Sequence, residues 1–112
     1  MNKSAIKRRS PKTLSMHALK ARGFIVADVE KIVPYHFIKQ DLFGMFDLLA
    51  IHPETGEVLA AQPTDLTSVS KRVDKITNNE NLPAIRKAGW TIEVHGWKWR
   101  GEEWMCRTVD LS

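Results

Sequence analysis

The spacing of apolar and polar positions changes several times along the chain, and each change marks an element. Residues 11–22 carry Leu14, Ala18 and Ala21 at helical intervals. Ser10-Pro11 supplies a capping side chain followed by a residue suited to the first helical position, and Gly23 supplies a stop. The spacing predicts a helix over 11–22. Residues 24–30 are rich in β-branched and aromatic types and predict a first strand. Residues 34–44 read as a long connection of mixed character. Residues 45–52 are apolar apart from Asp47 and His52, and residues 57–62, extending to Thr64, come after the turn Pro53-Glu54-Thr55-Gly56. These two stretches predict a hairpin whose strands are apolar on both faces, as in the covered middle of a sheet.

Residues 65–69 form a polar loop in which Asp65, Thr67 or Ser68 is placed to cap the next helix. Val69, Val73 and Ile76 predict that helix over 68–77, broken at Asn78-Asn79; a short helix over 82–87 ends at Gly89. Residues 90–95 predict a fourth strand. Gly96 reads as a bulge, residues 97–100 alternate toward a Gly101-Glu102 turn, and residues 104–109 predict a fifth strand. The order is helix, three strands, helix, two strands. Its 112 residues suit one α/β domain with one core, over residues 10–112. No apolar run approaches the ~20 residues that cross a bilayer. The single cysteine, Cys106, allows no internal disulfide and reads as a packing residue. A soluble, cytoplasmic protein without membrane attachment is expected.

Charge adds an asymmetry. The formal net charge is +4, yet residues 1–22 hold seven of the 17 basic side chains and no acid. The rest of the chain holds ten basic and all 13 acidic residues, a net −3. Residues 1–9 therefore read as a disordered basic arm. Lys3, Lys7, Arg8 and Arg9, with Lys12 just beyond, are candidates for phosphate contact, and a solvated tail is the competing reading. Loss of such an arm is expected to leave stability unchanged.

Asp47 is the polar residue that the pattern does not explain. A carboxylate in an otherwise apolar central strand is costly to bury alone. A hairpin closed at residues 53–56 brings it near Gln62, which shares a strand face with Thr64, and Glu30 ends the first strand at the same edge. Two carboxylates and an amide oxygen are hard donors suited to Mg²⁺ or Mn²⁺. The alternative is that Asp47 is satisfied by backbone N–H groups of the turn containing Gly44.

The α-β-β-β-α-β order, the Gly44-Met45-Phe46-Asp47 strand opening, the Gln62-Pro63-Thr64 triplet and the helix behind it resemble the PD-(D/E)XK nuclease superfamily. The nearest likeness is to its Holliday-junction-resolvase-like and VRR-NUC-like members, including small phage-encoded ones. The stretches Gln40-Asp41-Leu42-Phe43-Gly44 and His95-Gly96-Trp97 look like parts of a narrower phage-type subgroup. The resemblance implies a restriction-endonuclease-like core with a mixed sheet, extended here by a C-terminal hairpin. It implies a Mg²⁺- or Mn²⁺-dependent endonuclease acting on DNA, in host cytoplasm if phage-encoded. Asp47 matches the metal-binding aspartate and Gln62 the second acid, with Glu30 as a further ligand. Thr64 falls where the family has its catalytic lysine. Lys71 is the candidate replacement, with Arg72 and Lys75 behind it; Arg72 and Lys75 are also candidate DNA contacts. Two other readings stay open: a catalytically inactive DNA-binding relative, and a small protein-interaction module using the tryptophan-rich hairpin, whose aromatics also suit a core or a homodimer contact. His17, His36, His52 and His95 lack the paired spacing of a zinc site, and His95 reads as a packed core residue.

Overall fold

A computed structural model describes residues 3–36 and 38–112, with the Lys3 side chain outside what is described. Two α-helices open the chain, α1 at Lys3–Lys7 and α2 at Pro11–Ala21. Strand β1 is Ile25–Asp28, followed by β2 at Lys31–Val33 and β3 at Ile38–Gln40. Strands β4 (Leu48–Ile51) and β5 (Val58–Asp65) form the expected hairpin. A 3₁₀ turn at Leu66–Ser68 leads into α3 (Val69–Thr77), then α4 (Leu82–Lys87), β6 (Thr91–Arg100) and β7 (Glu103–Asp110). The main sheet has the order β1-β4-β5-β6-β7, with β5 and β6 parallel and all other neighbours antiparallel. This is a mixed-sheet α/β architecture.

Both sheet faces are covered, which is why β4 and residues 58–61 of β5 are apolar. On one side Leu19 of α2 meets Phe24, Leu48, Ala50, Leu59 and Ala61. On the other, Val69 and Ile76 of α3 and Leu82 and Ile85 of α4 pack with Met45, Phe46, Ala60, Ile92 and Val94. Residues 59, 60 and 61 thus alternate between the two cores, as the strand period requires.

The start of α2 matches its sequence signature: the Ser10 side chain accepts a hydrogen bond from Thr13 N. Its buried stripe differs from the expectation. Leu14, Ser15 and Leu19 are buried, whereas Ala21 is exposed. The stripe includes Ser15 because that serine meets polar partners on β6, described below.

Four further expectations are corrected. The connection over residues 34–44 contains a strand, since β2 and β3 pair antiparallel as a separate ribbon. Gly96 is no bulge; it stays in register with Thr64 and Arg107. Its small size is needed because a Cβ there would collide with Val69 Cγ2 and lie 3.3 Å from the Leu66 backbone. Gly96→Ala should therefore cost about 1–3 kcal/mol by overpacking, read from denaturant midpoints. Cys106 is exposed on β7, so it packs no core.

The fourth correction concerns the basic arm. Residues 3–7 are helical, and the Trp104 indole donates to the Ile6 carbonyl at 2.9 Å. This described part of the arm is docked on the C-terminal hairpin, where Trp104 also meets Trp99 edge-to-face at 5.6 Å. Deleting residues 1–9 should cost about 1 kcal/mol for the lost hydrogen bond and shift tryptophan fluorescence to the red. An unchanged spectrum and melting curve would contradict this docking.

Candidate metal centre

The site grows from a tight turn ahead of β4. Phe43 and Gly44 adopt left-handed conformations, with φ of 55° and 72°. Glycine tolerates that region without strain, and Phe43 is held there because Asn79 Nδ2 donates to its carbonyl at 3.1 Å. The turn closes through reciprocal backbone bonds between Leu42 and Phe46, 2.8 and 3.1 Å long. The residues flanking that pair, Asp41 and Asp47, are thereby brought side by side. Asp47 is fixed between two strands: its N–H donates to Ala61 O of β5, and its carbonyl accepts from Val29 N after β1. That second bond also carries the chain end of β1, and so Glu30, to the same place.

One carboxylate oxygen from each of Glu30, Asp41 and Asp47 lies within 4.8 Å of the other two. Asp47 and Gln62 are more than nine-tenths buried, and Gln62 Nε2 donates to Asp47 Oδ2 at 3.3 Å and to Pro63 O at 3.0 Å. The two acceptors orient the amide: turned over, its oxygen would face them both. Asp47 Oδ1 and Gln62 Oε1 are then left buried without any hydrogen-bond partner. Both residues line a cleft of about 710 Å³. Unmet buried acceptors are uncommon because they carry the full desolvation cost. Here they sit beside three carboxylates, a donor set that fits a hard divalent cation.

Pro63, which removes a ladder donor, costs nothing at this point. Ala61 bonds toward β4, so Pro63 two residues on faces the same side, past the last β4 pair at Leu48 and Ala61.

Burial and the adjoining Asp41 and Glu30 carboxylates push the Asp47 carboxyl up to about 7. Asp41 moves the other way despite its burial. A hydrogen bond from Asp47 and the nearby Lys75 ammonium, 3.4 Å from Asp41 Oδ2, hold it below the usual carboxylate range. Below about pH 7 the pair thus favours keeping one proton, on the Asp47 side. Glu30 is met by Lys12 Nζ at 2.9 Å, which also reaches Asp28 Oδ2 at 2.9 Å, while Lys39 Nζ lies 4.0 Å away.

Of the residues singled out by sequence, Glu30, Asp47, Gln62, Thr64, Lys12, Arg72 and Lys75 all line the cleft. Lys71 does not; it is exposed on α3, one residue out of phase with the cleft-facing Arg72 and Lys75. Lys7 and Arg8 are exposed on the arm, and Arg9 contacts His17. Thr64 is uncharged, and its hydroxyl donates to Asp65 Oδ1 at 3.2 Å. Asp41 was missed by sequence reading although it belongs to the cluster. A signal existed: it lies six positions before Asp47, across a Phe-Gly pair.

A second polar cluster lies under α2. His95 joins Ser15 Oγ through Nδ1 and Glu93 Oε1 through Nε2, each at 2.8 Å, and the Trp97 indole donates to Ser15 at 2.9 Å. The ionised Glu93 carboxylate can only accept, so the His95 ring nitrogen facing it, Nε2, carries a proton. The set has the connectivity of a hydrolase triad, but Ser15 is fully buried and no substrate can reach it. Its role is to tie α2 to β6, in line with the reading of His95 as a core residue. The tryptophans are similarly committed within the chain, with Trp90 tilted against Phe43 at 6.0 Å.

Among the described residues no helix is long and apolar enough to cross a membrane. Comparison with protein-family models, curated proteins and solved structures returns no match to this chain.

Proposed function

We propose that this domain is a divalent-metal-dependent phosphodiesterase acting on nucleic acid, of the PD-(D/E)XK type. The observation that carries the reading is the Glu30–Asp41–Asp47 cluster with two buried, unpartnered oxygens, Asp47 Oδ1 and Gln62 Oε1, in one cleft. The succession α2-β1-β4-β5-α3-β6, with β6 parallel to β5, supports the same reading, the β2–β3 ribbon being an insertion. Mg²⁺ or Mn²⁺ held by Glu30, Asp41 and Asp47, with Gln62 Oε1 alongside, would supply Lewis acidity and a more acidic water.

The chain's own residues set the rest. Lys12, Lys39, Arg72 and Lys75 line the cleft together with the carboxylates, so its walls offer positive charge to an incoming phosphate. In the hydrolysis a water oxygen bonds to phosphorus and the ester P–O bond breaks, its electron pair remaining on the leaving oxygen. The proton lost by the water goes to solvent, and the leaving oxygen takes one up. If four wall cations contact duplex phosphates, log affinity should fall with log salt at a slope of about −3.6.

One observation favours a second reading, a metal-free DNA-binding domain: Lys12 and Lys75 already neutralise Glu30 and Asp41. The two are separated by calorimetric Mn²⁺ titration together with cleavage assays on linear, single-stranded and branched DNA and on RNA. Metal binding with metal-dependent cleavage supports the phosphodiesterase. DNA binding without any uptake of Mn²⁺ would replace it with the second reading.

A further inference from the structure

The acidic cluster accounts for a cation but leaves open which group receives the substrate's own charge. Arg72 lies on α3, three residues before Lys75, and both line the cleft. The other wall cations have acids: Lys12 pairs with Glu30 and Asp28, Lys39 approaches Glu30, and Lys75 pairs with Asp41. Among the described residues Arg72 has no ion pair, and its Nε is buried with no hydrogen-bond partner.

A guanidinium stays charged at any accessible pH, and each of its N–H groups requires an acceptor. The closed-off Nε fixes the stem of the side chain, while the two terminal nitrogens, neither buried nor hydrogen-bonded among the described residues, are the donors that the cleft presents to an acceptor from outside. The surroundings restrict what that acceptor is. It must be anionic, it must match a planar fork of donors, and it must fit beside three carboxylates that only a metal can bridge to it. A phosphate meets all three conditions.

We propose that Arg72 binds the non-bridging oxygens of the reacting phosphodiester and supplies the positive charge that Thr64 does not. The inference rests on the phosphodiesterase reading and adds the contact that selects a phosphate diester as substrate. The charge enters from the α3 side of the cluster, through a fork of donors. Lys75 does not serve, because Asp41 holds it. Lys71 does not serve, because it lies outside the cleft. Arg72→Lys is not conservative here, since an ammonium on a shorter, unforked stem offers no paired N–H groups.

The test uses the full chain with Arg72→Gln, Arg72→Lys and Arg72→Ala. Three quantities are read: Mn²⁺ affinity by calorimetry, cleavage rate of a fluorescein-labelled DNA duplex in Mn²⁺, and affinity for that duplex in Ca²⁺. Arg72→Gln should cut at a rate reduced ~10²–10³-fold with unchanged Mn²⁺ affinity, as for loss of one transition-state donor. Arg72→Lys should recover little, and low-millimolar guanidinium ion should restore part of the rate in Arg72→Ala. A purely structural arginine would not be rescued. A wild-type rate in Arg72→Gln would overturn the proposal. If the wild-type protein itself does not cut, the catalytic reading fails separately, and Arg72 is judged by duplex affinity in Ca²⁺. A roughly tenfold or greater weakening in Arg72→Gln upholds the phosphate contact, and equal affinity overturns it.

Discussion

Replacing Asp47 with asparagine is expected to make the metal-free protein more stable at pH 8 while abolishing divalent-metal binding and any cleavage that depends on it. The two effects share one cause. Asp47 is buried beside Asp41 and Glu30, and its carboxyl is pushed up to about 7, from 3.8 for an ordinary aspartate. A carboxyl whose folded-state pKa is raised favours the fold while it stays protonated. That contribution is complete below the unfolded value and is lost as pH rises through about 7. Wild-type stability in EDTA should therefore decline from pH 4 to pH 8. The asparagine amide has no proton to lose, so the curve of Asp47→Asn should be flatter, leaving the variant about 1–3 kcal/mol ahead at pH 8. Mn²⁺ competes with the Asp47 proton, so its affinity for the wild type should rise with pH through about 7. At a concentration near 100 times the dissociation constant it should stabilise the wild type by about 2.7 kcal/mol and leave Asp47→Asn unmoved. Thermal melts with EDTA and with Mn²⁺ at pH 5, 7 and 8 measure every part of this. A variant less stable than wild type at pH 8 in EDTA, or stabilised equally by Mn²⁺, would remove Asp47 from the centre of the site.

The Glu93 network should dominate the acid limb of stability. Glu93 is buried and accepts both Arg22 guanidinium nitrogens, at 2.8 and 3.1 Å, as well as His95 Nε2. Burial alone would raise its pKa, but the His95 and Arg22 bonds outweigh it and hold the carboxyl at about 2. A depressed carboxyl stabilises the fold above its unfolded value, near 4.5, and that stabilisation is lost as pH falls toward 2. Glu93→Gln keeps the shape and removes the charge. It should cost up to about 3 kcal/mol at pH 7, a large part of the ~5–15 kcal/mol typical of a small domain. The difference should close between pH 4.5 and 2, because the wild type loses there what the variant never had. Parallel pH profiles for the two proteins would show that Glu93 is not held ionised by Arg22 and His95.

Periodicity and capping determined the regular framework. The Ser10-Pro11 start of α2, the β4–β5 hairpin around Pro53–Gly56 and the amphipathic α3 all occur where local pattern places them. These features are legible because each reports burial or backbone preference over a few adjacent residues. The proximity of Asp47 and Gln62 was legible too, since a tight hairpin constrains its own register.

Tertiary structure alone decided which polar groups converge. Asp41 enters the cluster because two consecutive residues turn left-handed, and Phe43 gives no local sign of doing so. Sequence ranks Lys71 ahead of Arg72 and Lys75, yet the docking of α3 by Val69 and Ile76 turns Arg72 and Lys75 into the cleft and Lys71 out of it. Ser15 meets His95 across 80 positions of sequence, on a helix face outside the Leu14–Ala18–Ala21 stripe that helical spacing marks. Helix α1 in the basic arm meets Trp104, 98 positions beyond Ile6. In each case the partner is supplied by another element, through packing angle and strand register. Local patterns determine which face of an element is buried, whereas a site depends on what the buried and half-buried faces of several elements bring to one point.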